Sequence, residues 1–600
     1  MKKMSKYMVN LKINNMPVSV EEGTTILEAA RKLNFKIPTL CNHPDLTVAG
    51  ICRVCVVEVK GARLLAASCA TPVSEGMEVL TNSEKVRTSR KHVVELLLSE
   101  HNADCTKCMK NGNCELQSLA FEYRVGDHTF LNLLKAKDMI PDISSPSIVK
   151  DNSKCIHCQR CVRTCAELQG VGALGVAFKG DHQTISTFLN KPLNEVVCTN
   201  CGQCINRCPT GALTERNNIE DVWKALYDPN KFVVVQTAPA VRIALGEELG
   251  LPTGQRVTGK MVASLRKIGF NKVLDTDFSA DLTILEEGYE LLGRLHKVLV
   301  EKDETVKLPM MTSCSPGWIK FIEHIFPDLN DNLSTCKSPQ QMFGALAKTY
   351  YADKVNVKAQ DMVVVSIMPC TAKKYECERP EMRSSGFQDV DYVLTTRELA
   401  LMIRQAGIDF GSLEGEKYDS ILGESTGAAV IFGATGGVME AALRTAYEVV
   451  TGREVPFTNL DIKPVRGMEG VKEASIKIKN VKPEFAHLEG VELNVAVAHG
   501  LANARKVMET VQNGTSNYHF IEIMACPGGC LGGGGQPIPT SPEIRAKRAE
   551  AIYDEDRNMT LRKSHENPEV IAVYEEFLGT PNGHKSHDLL HTHYKKRNRY

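Results

Sequence analysis

Apolar and polar residues alternate over the first part of the chain, as they do along β-strands. The alternation runs from Met8 to Val20 and is interrupted at Asn14-Asn15, which predicts two strands joined by a tight turn. Thr24 to Leu33 then has apolar residues at helical spacing after a threonine that can cap a helix. The pattern predicts a small β-rich domain with one helix.

Longer apolar runs appear after Glu220. Phe232 to Gln236, Met362 to Met368 and Val491 to Ala498 are apolar enough for buried strands, and helical segments lie between them. Buried strands that alternate with helices predict an α/β fold with largely parallel sheets. Because a region of roughly 380 residues exceeds the size that one core usually reaches, we expect two lobes with a cleft that shields a site from water.

Charge and hydropathy narrow the class of partners. The 72 basic and 72 acidic residues balance, which favours neither a nucleic acid nor an anionic membrane as a partner. No apolar stretch approaches the length of a membrane span, and Met1 to Asn10 lacks the apolar core of a signal peptide, so we expect a cytoplasmic location. The basic run Lys595 to Arg599 is expected to be a solvated tail, since a lipid or RNA site would need a longer basic surface.

Cysteine content adds a specific chemistry. Fifteen of the 21 cysteines precede Pro209, in tight groups of C-x2-C type. A reducing cytoplasm permits so many thiols, and metal centres need this spacing whereas disulfide frameworks rarely repeat it. The N-terminal third is therefore predicted to hold metal centres.

The first group can bind a small iron–sulfur cluster. A strand-like segment, Val54 to Val59, leads on from its middle pair, and its members are Cys41, Cys52, Cys55 and Cys69. Four thiolates on a loop and a strand suit a [2Fe–2S] centre, and a structural zinc is the alternative. Residues 1–80 are predicted to form a β-grasp-like domain with one [2Fe–2S] cluster.

In the second group an imidazole takes the place of one thiolate. It follows a helical segment, Val86 to Leu98, and its members are His101, Cys105, Cys108 and Cys114. Three thiolates at cluster spacing leave one iron of a [4Fe–4S] cluster without a ligand, which favours the histidine as the fourth. Because neutral imidazole removes one negative charge, we expect this cluster, in residues 81–140, to be easily reduced and to act as an electron port.

A duplicated run follows in residues 141–218. Its first copy is Cys155, Cys158, Cys161 and Cys165, and its second copy is Cys198, Cys201, Cys204 and Cys208, followed by Pro209. This is the two-cluster ferredoxin pattern, in which the fourth cysteine of each run binds the other cluster. We therefore expect two further [4Fe–4S] clusters, one completed by Cys208 and the other by Cys165.

Three strand-to-loop segments in residues 219–600 carry most of the remaining cysteines. They are Thr312 to Trp318 (TSCSPGW), Met368 to Glu376 (MPCTAKKYE) and Glu522 to Cys530 (EIMACPGGC), and the last continues through Gly532 to Gly535. Glycines at this density let backbone approach a bulky group closely. The segments predict a second kind of cluster site.

These segments closely resemble the three signature loops of [FeFe]-hydrogenases, and the resemblance extends from the first cysteine group to Ser564–Pro568. It implies an enzyme that interconverts protons, electrons and H2 at an H-cluster. That cofactor is a [4Fe–4S] cube joined through a thiolate to a di-iron unit bearing CO, cyanide and an azadithiolate. The three [4Fe–4S] clusters and one [2Fe–2S] cluster of the N-terminal region would then relay electrons.

The resemblance also implies roles for single residues. Cys370, Cys526 and Cys530 match ligands of the cube, with Cys530 as the bridge to the di-iron unit. Lys373 matches the lysine that donates to a cyanide, a charge-assisted bond that suits a dry pocket. The residues that match the lining of the pocket are Ala238, Pro239, Gln340, Met368, Pro369 and Met524.

A proton relay is implied in the same way, and its members from cluster to surface are Cys314, Glu287, Ser334, Glu290 and Arg294. Glu287 and Glu290 are three residues apart in a helical segment, so they share a face, as a relay needs and as a solvated face also gives. The matched Cys314 and Ser334 favour the relay. Burial should raise the pKa of both glutamates towards neutrality.

The first loop departs from the commonest family pattern, in which two cysteines are adjacent. Here Cys314 is followed by Ser315, and serine is a poor replacement for a thiolate on iron. Either Ser315 binds the iron of the cube weakly, or another residue supplies the missing ligand. Cys336 is the candidate because its loop already contributes Ser334 and Gln340, and Cys377 is the other spare thiol.

Alternatives to a catalytic hydrogenase stay open. A hydrogen sensor or cluster-assembly relative would be expected to lose the lysine or the relay, and a pure electron-transfer subunit leaves the three loops unexplained. Gly433 to Gly437 lacks the context of a dinucleotide fingerprint, so NAD and flavin are expected on partner subunits. The Ser315 variant resembles catalytic subunits of NAD-linked, electron-bifurcating hydrogenases, and a stand-alone ferredoxin-linked enzyme is the second possibility.

Overall fold

The computed structural model describes residues 7–126 and 139–599. Two segments for which a prediction was made lie outside the described residues. Residues 1–6 belong to the segment that lacks the apolar core of a signal peptide, and residues 127–138 are at the end of the predicted histidine-containing domain. In the two described ranges no helix is long and apolar enough to cross a membrane.

The first domain forms where the alternation predicts it. β1 (Met8–Ile13) and β2 (Met16–Glu21) pair antiparallel around Asn14 and Asn15, which both have positive φ. α1 (Ile26–Lys32) begins at a capping box formed by Thr25 and Glu28. With β3 (Val56–Val59), β4 (Ala66–Ala67) and β5 (Glu78–Leu80) the strands form one sheet in the order β2-β1-β5-β3-β4, in which β1 and β5 are parallel.

The cluster-rich region that follows has little regular structure. Its elements are α2 (Glu84–Ser99), α3 (Glu115–Glu122), β6 (Ile148–Lys150), α4 (Arg160–Arg163), β7 (Gly175–Ala177), β8 (Thr184–Ser186), α5 (Gln203–Arg207) and β9 (Leu213–Glu215). β6 pairs with β9 and β7 with β8, both antiparallel. The cysteine duplication is visible in the backbone, because His157 and Gln159 of the first run and Asn200 and Gly202 of the second have positive φ.

The remaining residues form an α/β region. Its strands are β10 (Phe232–Thr237), β11 (Lys272–Asp275), β12 (Met310–Met311), β13 (Met362–Met368), β14 (Tyr392–Thr395), β15 (Val471–Lys477), β16 (Glu492–His499) and β17 (Phe520–Met524). Its helices are α6 (Ile219–Tyr227), α7 (Val241–Glu248), α8 (Thr258–Ile268), α9 (Thr276–His296), α10 (Pro316–Ile325), α11 (Pro339–Leu346), α12 (Ala352–Lys354), α13 (Ala372–Cys377), α14 (Thr396–Gln405), α15 (Gly427–Val430), α16 (Gly437–Thr451), α17 (Leu501–Gln512), α18 (Pro542–Asn558), α19 (Pro568–Val573) and α20 (His584–Leu590).

Two separate sheets organise this region. The order β11-β10-β13-β14 is parallel throughout, and in β12-β17-β16-β15 only the edge strand β15 is antiparallel. The carboxyl ends of parallel strands are where open α/β sheets bind ligands. β13 ends at Met368 and β17 at Met524, so the second and third cysteine loops emerge at these ends.

Helix α9 lies between the cores of the two sheets. Phe278 and Leu282 pack in the core around β10 and β13, whereas Ala280 and Ile284 pack in the core around β16 and β17. Both sides of the helix are therefore apolar over its first half. Glu286 and Glu287, which follow on the same helix, are buried as well.

Lys595, Lys596 and Arg599 of the basic tail are exposed, as a solvated tail predicts, but the tail is also held by ion pairs. Arg597 Nε lies 2.5 Å from Glu323 Oε2, and Lys595 Nζ lies 2.7 Å from Glu381 Oε1. Glu323 is fully buried on α10 and also holds Arg379 at 2.8 Å. The tail is anchored because buried carboxylates of the α/β region take its cations as counter-charges.

Candidate active site and metal centres

The three cysteine loops enclose one cavity of about 80 Å³ between the two sheets. Its wall contains each of the predicted lining residues and three cysteines that were predicted to bind the cube; together with Lys373 these are Ala238, Pro239, Gln340, Met368, Pro369, Met524, Cys370, Cys526 and Cys530. Cys314 and Ser315 of the first loop also line the cavity. A mostly apolar wall with three thiols and one ammonium fits an anionic metal cofactor better than a polar substrate.

The third loop needs glycines because backbone atoms of other segments lie directly against its own backbone. A Cβ on Gly533 would lie 2.1 Å from Pro369 O, and one on Gly529 would lie 2.7 Å from Thr435 N. At Gly534 the nearest atom would be Cys201 O, at 2.3 Å. The segment Gly433 to Gly437, which lacks nucleotide-binding features, is thus a support for the cysteine loop.

Cys336, which was expected to complete the cube, lies apart from the cavity in this structure. Its sulfur lies 3.8 Å from Glu290 Oε2, and its side chain is fully buried in an apolar core. Cys336 is not among the residues that line the cavity. Ser315 does line the cavity, and its Oγ accepts a hydrogen bond of 3.2 Å from Ala525 N. Cys377 is likewise remote, since its thiol donates to Lys374 O at 3.1 Å.

Lys373 is held by a carboxylate that the sequence did not single out. Its Nζ lies 2.9 Å from Glu376 Oε2 and donates to Cys314 O at 3.2 Å. The same oxygen of Glu376 accepts from Ser338 Oγ at 2.8 Å and from Gln340 Nε2 at 3.1 Å. Since Lys373 and Glu376 are three residues apart on α13, helical spacing was the available signal.

The predicted relay residues form a row that leads outward from the cavity. Glu287 Oε1 accepts from Ser313 N at 3.4 Å, next to Cys314, and its Oε2 has no hydrogen-bond partner among the described residues. Ser334 Oγ donates to Glu290 Oε2 at 2.8 Å, and Arg294 Nη2 donates to Glu290 Oε1 at 2.7 Å. Side-chain exposure rises from a fully buried Glu287 to 11% at Glu290 and 13% at Arg294.

Burial controls the protonation of the inner members of this row. It raises the pKa of Glu287 to about 8, with a further contribution from the charge of Glu290, while hydrogen bonds from Ser313 oppose the rise. Burial also raises the pKa of the Cys314 thiol, with Glu287 acting in the same direction and Lys373 against it. A carboxyl with a pKa near neutrality can both accept and release a proton.

A pH dependence follows from this shifted carboxyl. Because Glu287 loses its proton as the pH rises through about 8, we expect H2 production that depends on the relay to decline there and H2 oxidation to gain. Steady-state rates in both directions, measured at saturating electron donor or acceptor, test this. Production that stays constant across that pH range would contradict the expectation.

The first cysteine group is assembled in one place. Cys55 and Cys69 have their sulfurs 3.3 Å apart, too far for a disulfide, and Cys41 contacts both Cys52 and Cys69. All four thiols are buried and free. Contact with Cys52 and Cys69 lowers the pKa of Cys41. Four buried sulfurs in contact fit a small cluster.

The histidine-containing group is less tightly closed. His101 is 8% exposed, and its Nδ1 is buried without a hydrogen-bond partner among the described residues. Cys108 raises the pKa of Cys114, after the larger effect of burial, so these two thiols are near each other. A Cβ on Gly211 would lie 2.6 Å from Cys108 Sγ. An unpartnered buried nitrogen beside thiols fits a metal ligand.

The duplicated runs enclose two small cavities with four sulfurs each. One is lined by Cys155, Cys158, Cys161 and Cys208, and the other by Cys165, Cys198, Cys201 and Cys204. The fourth cysteine of each run therefore lies with the opposite run, as the spacing predicts.

The second of these cavities is next to the catalytic loops. Thr371 Oγ1 donates to Asn200 O at 2.8 Å, Gln203 Nε2 donates to Gly532 O at 2.8 Å, and Asn206 Nδ2 donates to Gly533 O at 2.8 Å. The other end of the cluster region is also fastened, because Asp45 receives Arg207 at 2.6 Å and Arg545 at 2.7 Å. The cysteine sites thus form a fixed series that ends at the cavity.

A family model described as "Iron only hydrogenase large subunit, C-terminal domain" matches residues 231–534. The chain belongs to the iron-only hydrogenase family. It is an oxidoreductase that acts on H2, and its N-terminal iron–sulfur domains relay electrons to the hydrogenase domain. Residues 542–597 match a model described as "Iron hydrogenase small subunit".

The N-terminal matches agree with the cysteine groups of this hydrogenase. Residues 6–84 match a 2Fe-2S iron-sulfur cluster binding domain, and residues 90–129 match the NADH-ubiquinone oxidoreductase-G iron-sulfur binding region. Residues 145–214 match the ferredoxin-like domain of NADH-quinone oxidoreductase subunit 3. Both types of iron–sulfur cluster and the H-cluster therefore belong to the cofactors of the family members that this chain resembles.

Relatives of this hydrogenase cover nearly the whole chain. The NADP-reducing hydrogenase subunit HndD of Solidesulfovibrio fructosivorans is 52% identical over 99% of this chain and 100% of its own length. Iron hydrogenase 1 of Clostridium pasteurianum is 39% identical over 97% of this chain and 99% of its own. A solved apo [FeFe]-hydrogenase from Chlamydomonas reinhardtii is 44% identical, with a TM-score of 0.57 over 64% of this chain and all of that one.

Proposed function

We propose that this hydrogenase is the H2-converting subunit of a complex that exchanges electrons with nicotinamide- and flavin-binding iron–sulfur subunits, and with ferredoxin. The observation that carries the proposal is the unbroken series of cysteine-lined sites that ends at the enclosed cavity. The relative that is named as a subunit of an NADP-reducing hydrogenase supports partners that bind the nicotinamide.

The domains of the chain are proposed as the sequence divides them. Residues 1–80 form a β-grasp-like [2Fe–2S] domain, residues 81–140 the histidine-containing [4Fe–4S] domain and residues 141–218 the two-cluster ferredoxin domain. Residues 219–600 form the two-lobed catalytic domain. The described sheets and the crossing of Cys165 and Cys208 support this division.

Ligands are proposed for each centre on the basis of the residues that meet there. Cys370, Cys526 and Cys530 would hold the cube, and Cys530 would also hold the di-iron unit with its CO, cyanide and azadithiolate ligands. Ser315 occupies the remaining position, because it lines the cavity and Cys336 does not. When bound, the H-cluster supplies the metal centre at which protons and electrons combine to H2.

The protein supplies the proton path and the electrostatics. Cys314 exchanges protons with Glu287, and Ser334 links Glu287 to Glu290, which Arg294 holds near the surface. Lys373 places a positive charge in the wall of the cavity, where it can donate to a cyanide ligand, and Glu376 fixes its position. The apolar residues of the wall exclude water, so protons must follow the row of side chains.

Anaerobic purification from the native host, with mass identification of the partners, tests the proposed complex. We expect flavin- and nicotinamide-binding iron–sulfur subunits to co-purify and the complex to couple H2 oxidation to nicotinamide reduction. A chain that purifies alone and exchanges electrons with ferredoxin only would overturn the proposal of a complex and establish the stand-alone enzyme.

The ligand assignment predicts a contrast between two cysteines. Cys370→Ala should lose most of the catalytic cube, whereas Cys336→Ala should keep its iron and its turnover, because the Cys336 sulfur faces Glu290. Iron content and the cyanide and CO infrared bands of anaerobically matured protein measure this. Ser315→Ala is the third variant, and loss of the cube in Cys336→Ala but not in Ser315→Ala would restore Cys336 as a ligand.

A further inference from the structure

Helix α10 leads from the catalytic cavity past the second cysteine run. Near its start, a Cβ on Gly317 would lie 3.5 Å from Thr199 O and 3.6 Å from Cys201 Cβ. Lys320 is one helical turn further on and therefore lies on the same face as Gly317. The side chain of Lys320 is thus directed along the flank of the site formed by Cys198 and Cys201.

Lys320 is a buried cation without an acidic partner. Its side chain is part of a residue only 5% exposed, and in residues 7–126 and 139–599 no carboxylate forms an ion pair with its Nζ. Its described polar contact is with the ring of Tyr375, whose centre is 4.6 Å from Nζ. A buried ammonium normally lies near a negative charge that offsets its own. An iron–sulfur cluster with thiolate ligands is the candidate for that charge here.

Two of the nearby carboxylates already hold other cations. Glu323 holds Arg379 at 2.8 Å and Arg597 at 2.5 Å, so it carries two guanidinium groups. Glu381 holds Lys595 at 2.7 Å. Glu195 and Glu378 line the same groove as Lys320, but among the described residues neither forms an ion pair with it. The thiolates that Cys198 and Cys201 would contribute to a cluster are the opposite charges on the closed side of Lys320.

We propose that Lys320 raises the reduction potential of the [4Fe–4S] cluster bound by Cys165, Cys198, Cys201 and Cys204, an inference that rests on the proposed ligand set. Reduction adds one electron to this cluster, and a buried cation beside a ligand stabilises the added negative charge. The cluster adjoins the catalytic loops. Lys320 thereby poises the last cluster of the series to receive electrons before they enter the cavity.

Water in a surface groove weakens the effect of Lys320 on the reduction potential of the cluster but does not remove it. A groove of about 530 Å³ reaches Lys320 from the surface, and Tyr375, His324 and Arg597 line it. Solvent in the groove screens one side of the ammonium, whereas the side that faces Cys198 is closed, since Cys198 is buried. The charge therefore acts more strongly on the cluster than on the solvent side.

An anaerobic redox titration followed by EPR tests the role of Lys320 in the full chain. Lys320→Met should shift one [4Fe–4S] component to a more negative potential and leave the [2Fe–2S] component unchanged. Lys320→Arg should restore the potential because it returns the charge. Lys595→Met is the matched control, since it removes a cation from the same surface that Glu381 already neutralises, and it should shift nothing.

The outcomes separate this inference from the proposed ligand set. Iron content and the number of reduced [4Fe–4S] signals in the parent, together with their loss in Cys201→Ala, establish whether the cluster is present. If the cluster is absent, the ligand set is wrong and the inference fails with it. If the cluster is present and Lys320→Met leaves every potential unchanged, or Lys595→Met shifts the same component equally, the ligand set stands and the role of Lys320 is refuted.

Discussion

Glu287→Gln lowers H2 production and H2 oxidation by about 10²–10⁴-fold, with iron content unchanged. Glutamine keeps the size of the side chain and can accept the bond from Ser313 N, but it cannot exchange a proton at the pH of turnover. The carboxyl is fully buried, so water cannot easily take its place. Assays in both directions on matched preparations, with infrared bands of the cofactor as a check on maturation, measure the effect.

Glu286→Gln is the control for that substitution. Glu286 is equally buried one residue earlier on α9, but its carboxylate binds Tyr574 at 2.6 Å and His591 at 3.1 Å instead of Ser313. We expect this variant to retain turnover within a few-fold. Turnover close to the parent in Glu287→Gln would exclude Glu287 from the main proton path.

Cys314→Ala is expected to reduce turnover by a similar factor, about 10²–10⁴-fold, and to leave the cube in place. Cys314 lines the cavity, and the preceding residue, Ser313, donates to Glu287, so the Cys314 thiol lies between the cavity and the first carboxyl of the row. Its carbonyl, which holds Lys373 at 3.2 Å, survives the substitution. Turnover together with iron content measures the two functions separately.

Cys377→Ala is the matched control, because Cys377 is also a buried thiol but bonds to Lys374 O away from the cavity. It should behave like the parent in both measurements. If Cys314→Ala loses the cube, Cys314 is a ligand and the assignment of Ser315 and Cys314 must be exchanged.

Much of the fold could be predicted from local patterns in the sequence. The alternation around Asn14 and Asn15 gave the first hairpin, and the apolar run Met362–Met368 is a strand with those bounds. The spacing of the duplicated run also indicated that Cys165 and Cys208 cross. In each of these cases the determining contacts are close in sequence or belong to a repeated motif, so periodicity and spacing contain the information.

Contacts between distant segments could not be obtained in this way. Cys336 was expected at the cavity because neighbours in its loop are there, yet the chain turns between Ser334 and Gln340 and directs the thiol to Glu290. The basic tail was expected to be solvated because it is too short for a lipid or RNA site, and its ion pair with Glu323 could not be foreseen because that residue is 274 positions away. Phe432, which lines the cavity, had no sequence signal at all.

The close packing of Gly534 against Cys201 has a consequence for the speed of the enzyme. Electron tunnelling slows exponentially with the thickness of protein between two centres, so each added atom layer matters. With Gly534 and Gly202 pressed together, a Cβ on Gly534 would lie 2.3 Å from Cys201 O and 2.8 Å from Gly202 Cα. The missing side chain therefore sets an insulating gap, and a single methyl group there would widen it without removing any ligand or any proton donor.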